Sequence, residues 1–119
     1  MGGLSRCTRR SGPDRDGVYY EEYRDDLGRP HREDGPALRW WWIDRKGRER
    51  PIRDIWVHHG DYHRVGGPAI VEYDDRGRPW REEWYYAGHR HRDDGPAIVQ
   101  YDEAGKPIIE EHYVRGHKV

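Results

Sequence analysis

His31-Arg32-Glu33-Asp34-Gly35-Pro36-Ala37 returns as His63-Arg64-Val65-Gly66-Gly67-Pro68-Ala69, and again as His91-Arg92-Asp93-Asp94-Gly95-Pro96-Ala97. The offsets are 32 and 28 residues, so the chain is an array of repeated units, and its fold has to be read at the level of the unit. Each Pro-Ala leads into a β-prone run (38–43, 70–73 and 98–101) and then into an Asp-x-x-Gly element: Asp44 to Gly47, Asp74 to Gly77 and Asp102 to Gly105. A second run follows, containing Arg53-Asp54-Ile55-Trp56, Glu82-Glu83-Trp84-Tyr85 or Glu110-Glu111-His112-Tyr113, and after it a glycine, Gly60, Gly88 or Gly116. Another copy of the second run, Glu21-Glu22-Tyr23, precedes the first connector, so the pattern begins and ends mid-unit.

Two short runs of Val, Ile, Tyr and Trp flanking a turn whose glycine tolerates positive φ describe a β-hairpin. The Asp-Gly-Pro connection places proline where a strand starts and its missing N–H is not needed. The expected fold is therefore all-β, a single-layer antiparallel meander of about seven strands over residues 18–119, preceded by a flexible lead-in over 1–17 that is rich in Gly and Arg. The first full unit supports this, having two extra residues before Asp44 and two more after Gly47. Equal insertions on both sides of a turn lengthen a hairpin by one pleat without moving any side chain to the other face. Helices are disfavoured because Gly or Pro interrupts the runs about every ten residues.

Composition narrows the function. Hydrophobic residues make up 33% of the 119 and charged residues 38%, a balance that would suggest disorder were it not for six Trp and nine Tyr. Large rings cover neighbouring residues on a strand and compensate for a small apolar supply. The 22 basic and 23 acidic residues are mixed along the chain, so nucleic acid and anionic membranes are not expected partners. A single Cys7 excludes an internal disulfide framework and a Cys-based zinc site. With no apolar leader and no apolar run of membrane-spanning length, the chain reads as soluble and cytoplasmic.

The cycle of charged strand, Trp-Tyr, Gly, His-Arg-x-Asp-Gly-Pro-Ala and an apolar strand ending in Tyr-Asp resembles variant MORN (membrane occupation and recognition nexus) repeats of bacterial antitoxin-like, phage and giant-virus proteins. The resemblance covers residues 19–119 and is clearest from Trp84 to Ala97. The units are longer than the usual MORN unit, and Val65-Gly66 replaces the acidic pair of the middle connector. The resemblance implies an elongated single-layer sheet of hairpins with a binding role, and transfers no catalytic residue.

Candidate sites follow from the residues. Trp40-Trp41-Trp42 is the feature least explained by the repeat, since sister units carry Glu72 and Gln100 nearby. Three consecutive Trp place a ring on each face; they either cover the longer hairpin or form a protein-binding hot spot extended by Trp80 and Trp84. The His-Arg pairs His31-Arg32, His63-Arg64 and His91-Arg92 have two readings. Recurrence favours a structural tie, Arg pairing with the Asp of its own connector or with the preceding Glu pair, and a small-ligand or nucleotide site is the alternative. His89-x-His91 and His58-His59-x-x-x-His63 have spacings that bring imidazoles together, but without Cys partners they define no metal site, and no cofactor is expected.

The Glu pairs at 21–22, 82–83 and 110–111 point to opposite faces and cannot act on one substrate atom. Ser5 and Ser11 lie in the lead-in, as does Cys7, a poor place for a nucleophile. The sequence thus predicts a non-enzymatic module that binds another protein, in concrete form an antitoxin-like protein or a phage-encoded inhibitor of a host-defence component. Pairing of open edge strands between copies is a further reading.

Overall fold

The computed structural model describes residues 7–119, which form an all-β chain. Its strands are β1 (Cys7–Ser11), β2 (Tyr19–Tyr23), β3 (Leu38–Ile43), β4 (Glu49–Ile55), β5 (Val57–His58), β6 (Asp61–Tyr62), β7 (Ile70–Tyr73), β8 (Pro79–Glu83), β9 (Tyr85–Tyr86), β10 (His89–Arg90), β11 (Ile98–Tyr101), β12 (Pro107–Glu111), β13 (Tyr113–Val114) and β14 (His117–Lys118). Eight of them make one antiparallel sheet in chain order, β1-β2-β3-β4-β7-β8-β11-β12, and the other six pair as three two-residue hairpins, β5–β6, β9–β10 and β13–β14. The meander of hairpin repeats expected from the sequence is the observed fold. No helix among the described residues is long and apolar enough to cross a membrane.

The turns explain the repeat. In Asp44 to Gly47, Asp44 Oδ1 accepts the N–H of Lys46 and of Arg48 at 2.8 and 3.0 Å, while the Gly47 N–H donates to the Asp44 carbonyl at φ +77°. The short carboxylate satisfies the turn's inward N–H groups, and glycine takes the left-handed position without Cβ strain. The same bonds recur at Asp74 and Asp102, and also at Asp14 and Asp25. Asp14-Arg15-Asp16-Gly17 therefore turns β1 back onto β2. Residues 7–11 thus pair with β2 as the first of eight strands, in keeping with the expected meander of about seven; residues 1–6 of the expected lead-in lie outside the described residues.

The two-plus-two insertion appears as β3 and β4 of six and seven residues, against four and five in the two later hairpins. Pro51, Pro79 and Pro107 pair with Trp41, Tyr73 and Tyr101 next to a register shift, where a strand tolerates a residue without N–H.

Register sorts the side chains into rows. Glu22, Leu38, Ile55, Ile70, Glu83, Ile98 and Glu111 lie across one another on one face; Glu21, Arg39, Asp54, Val71, Glu82, Val99 and Glu110 form the neighbouring row on the other. The small core gathers Ala37, Ile55, Val57 and Ile70, with Leu38, Trp40 and Tyr85 packed against them, so β5 and β9 of the small hairpins supply part of its cover. Ala37, Ala69 and Ala97 are fully buried at 0% exposure, each with its N–H and carbonyl bonded to neighbouring strands. Only a methyl fits where the chain passes from connector to strand, which is why Pro-Ala recurs unchanged.

Candidate functional site

Each connector is held by its arginine. The guanidinium carbons of Arg32, Arg64 and Arg92 lie 3.9, 4.0 and 3.8 Å from the ring centroids of Tyr23, Trp56 and Trp84. Their Nη1 atoms donate to the carbonyls of Pro36, Pro68 and Pro96 at 3.4, 3.2 and 3.1 Å. A Cβ on Gly35, Gly67 or Gly95 would approach the same guanidinium to 2.8, 2.8 or 2.9 Å, so the Gly-Pro step is required by the stacked arginine. Arg32 and Arg92 complete the arrangement by pairing with Asp34 and Asp94 of their own connectors at 2.9 and 3.2 Å. These contacts tie each connector to the preceding strand end, as the structural reading of the His-Arg pairs requires.

The histidines tie each connector to the following small hairpin. His31, His63 and His91 each use Nδ1 to accept a backbone N–H, from His59, Ala87 and Arg115 respectively, all at 2.9 Å. Those three donors have φ of +44°, +49° and +52° and stand before Gly60, Gly88 and Gly116, which also have positive φ. Two consecutive left-handed residues make the tight two-residue hairpin turn, and the imidazole bonds the N–H that this turn turns outward. Burial, and then the neighbouring imidazoles, hold His31 and His63 below the usual histidine range.

At the first small hairpin His58 and His59 join His31. Ring nitrogens of the three come within 4.8 Å of one another, and the rings of His31 and His59 stack at 3.9 Å. His59 Nδ1 lies 2.7 Å from Asp25 Oδ2, a contact that leads the causes holding the Asp25 carboxyl well below its usual range. Because His31 Nδ1 accepts the His59 N–H, the proton of the neutral ring is assigned to Nε2, where it withdraws His31 from a three-imidazole metal set. His58 and His59 keep lone pairs for a ligand, and Glu33 Oε1 stands 3.9 Å from His58 Nε2. The counterparts in the later units are Tyr86-Ala87 and Val114-Arg115, so the extra imidazoles belong to this hairpin alone.

A groove of about 840 Å³ runs between the second and third connectors, lined by Arg64, Val65, Trp84, Tyr86, His89, His91, Arg92 and Arg115 among others. His63, Arg64, His91 and Arg92 belong to two connectors 28 residues apart; the fold lines three of them along this groove, with His63 beside Tyr86 at a ring distance of 4.6 Å. His31 and Arg32 sit at the first connector, away from it. Tyr86 and Arg115 were not singled out from the sequence. Their signal was available in the two small hairpins that the positive-φ glycines imply.

The tryptophans divide. Trp41 is buried at 6% exposure, stacked on Tyr19 at 5.7 Å and covered by the Arg39 guanidinium at 4.5 Å. That burial removes Trp41 from the expected docking patch and gives it to the sheet, because a ring closed off by its neighbours offers a partner no surface. Trp40, on the opposite face, is half-buried against the core beside Tyr20 and Arg53, at 5.0 and 5.7 Å. Trp42 is half-exposed and, with Val18, Pro51, Ile52 and Tyr73, lines a shallow depression at the hairpin end. Trp84 carries the Arg92 stack, and Trp80 is half-buried on β8, one residue before Arg81. The five tryptophans therefore do not form one surface.

The Glu pairs separate as expected. Glu21 binds Arg10 and Arg39 at 2.6 and 3.3 Å, while Glu22 takes the Tyr20 hydroxyl and Arg24 at 2.9 and 3.1 Å on the other face. Burial and the Glu22 carboxylate push the Tyr20 hydroxyl up to about 12, and burial with Glu82 does the same for Tyr101. These hydroxyls are donors held in place at neutral pH and supply no base.

No family model, no curated protein and no solved structure matches this chain.

Proposed function

We propose that the chain is a non-enzymatic module that binds another protein through one face of its sheet. The observation carrying this reading is the row Tyr20, Trp40, Arg53, Glu72, Arg81 and Gln100, which crosses six strands in register and is partly exposed along its whole length, with Trp40 leaning on the core. Trp42 follows Trp40 on the same face by strand alternation. Aromatic rings beside arginines are the composition enriched at protein interfaces, and a rigid one-layer sheet presents them without an ordering cost at binding.

The antitoxin-like or phage-inhibitor version of this reading rests on the MORN-like form of the connectors, which is an analogy of architecture. Native affinity purification of the tagged protein tests the surface. A stoichiometric partner is expected with the wild-type chain, its retention falling about tenfold or more with Trp42→Ala or Arg81→Ala if either is a hot spot. Equal retention by both correctly folded variants would refute the face as the binding surface.

A further inference from the structure

The three connectors share their arginine contacts, but the second lacks both acidic residues: among the described residues His63 has no counterpart to the His31–Glu33 and His91–Asp93 pairs, and Gly66 takes φ +80°. Their arginines stack on an aromatic ring, bond a proline carbonyl and press on a glycine at nearly equal distances. In the first and third, Nε also donates to a carboxylate, Asp34 or Asp94. In the second the chain has Val65-Gly66, and Arg64 forms no hydrogen bond or ion pair with a carboxylate among the described residues; Asp54 feels its charge without bonding it, and the Nε and Nη2 of Arg64 make no hydrogen bond there. We propose that the second connector is a carboxylate-binding site, in which a ligand gives Arg64 the oxygen that Asp34 and Asp94 give to Arg32 and Arg92.

Four features support the assignment. Arg64 is held in place from two sides, by the Trp56 ring and the Pro68 carbonyl, so binding does not have to order it. A Cβ at Gly66, the position that Asp34 and Asp94 hold in the other connectors, would meet nothing within 4 Å, so the place of the missing side chain is not filled by another group. Arg64 lines the groove between the connectors, and across it Arg115 likewise has no carboxylate partner among the described residues, whereas His91 and Arg92 are paired with Asp93 and Asp94. Two guanidinium groups without an ion-paired carboxylate thus line the groove, and a charge-assisted bond to a planar fork favours a carboxylate. Val65 and Tyr86 flank it at 78% and 54% exposure, so the acid it takes carries an apolar group next to its carboxylate. The site is independent of the sheet face proposed above, and either can fail without the other.

The test follows the arginine Nε–H resonances during titration with sodium acetate, against sodium chloride at equal ionic strength. Saturable movement of the Arg64 Nε–H is expected, with those of Arg32 and Arg92 unmoved because their own aspartates already accept them. Gly66→Asp returns a carboxylate to this position, against the strain of its left-handed φ of +80°, and should weaken acetate binding about tenfold or more. Asp94→Gly should confer the same response on Arg92, and it decides the matter if Gly66→Asp does not fold. A blocked Leu-Glu dipeptide separates the sources: tighter binding than acetate assigns the site to an acidic side chain on a partner, and equal binding assigns it to a free small acid. The proposal is overturned if Arg64 follows chloride as it follows acetate, if Arg92 gains nothing in Asp94→Gly, or if inorganic phosphate is preferred to acetate.

Discussion

Replacing Trp41 by alanine distinguishes a sheet-covering ring from a docking ring. Its 6% exposure puts nearly the whole indole out of water, between the Tyr19 ring and the Arg39 guanidinium. Trp→Ala at core positions costs about 3–5 kcal/mol, and a one-layer sheet collapses onto the gap more readily than a deep core, which favours the lower end. The Arg39 cation–π contact adds about 0.5–1 kcal/mol that is lost with the ring. Arg39 also pairs with buried Glu21, so freeing the guanidinium loosens a second buried group.

The expected loss is about 3.5–4 kcal/mol, which for a domain of this size lowers the melting temperature by roughly 14–16 °C. Trp42→Ala, from a half-exposed position at the end of the hairpin, should cost about 1 kcal/mol and roughly 4 °C. Urea denaturation of both variants, with unchanged m-values as the check on two-state unfolding, measures the difference. If the two variants agree within about 0.5 kcal/mol, roughly the scatter of surface substitutions, the structural assignment of Trp41 fails.

Two further outcomes follow from the packing and the titrating groups. His31 and His63 lie below the ordinary histidine value in the folded chain, so the unfolded chain binds more protons as pH falls through about 6.5, and stability declines on the acid side of that point. Depressed Asp25, Asp44 and Asp74 add a second decline below about pH 4; thermal melts from pH 8 to 3 should show both, and constant stability between pH 7 and 5.5 would contradict the histidine assignment. Ala69→Leu adds three carbons where exposure is 0% and should destabilise by about 2–3 kcal/mol on calorimetry, whereas a neutral result would show that the connector has room to move.

Much of the architecture was legible in the chain because it is encoded locally. Asp-x-x-Gly specifies its turn with a carboxylate and a glycine three residues apart, and the spacing of those turns defines the strands. The same rule applied to Asp14-Arg15-Asp16-Gly17 would have placed β1 in the sheet, but the Gly- and Arg-rich composition around it drew the boundary at residue 17. The small hairpins were harder to read. Each has two residues per strand, too few for any periodicity, and is held by an imidazole from a connector 24 or 28 residues away.

The His-Arg recurrence pointed to a structural role, and Val65-Gly66 was visible as an exception. That the exception leaves Arg64 stacked in place with open donors required coordinates. So did the fate of the tryptophan triplet, since alternation guaranteed a ring on each face without saying which face its neighbours would cover.

By itself, then, the sequence determined the all-β class, the hairpin unit and the longer first hairpin, because turn chemistry and period-two alternation act between residues close along the chain. Tertiary structure alone decided that Trp41 is covered while Trp42 is not, that His31 gathers two more imidazoles, and that Arg64 and Arg115 face one groove. Those outcomes depend on side chains from different units meeting across the sheet, and no spacing along one strand encodes such a meeting.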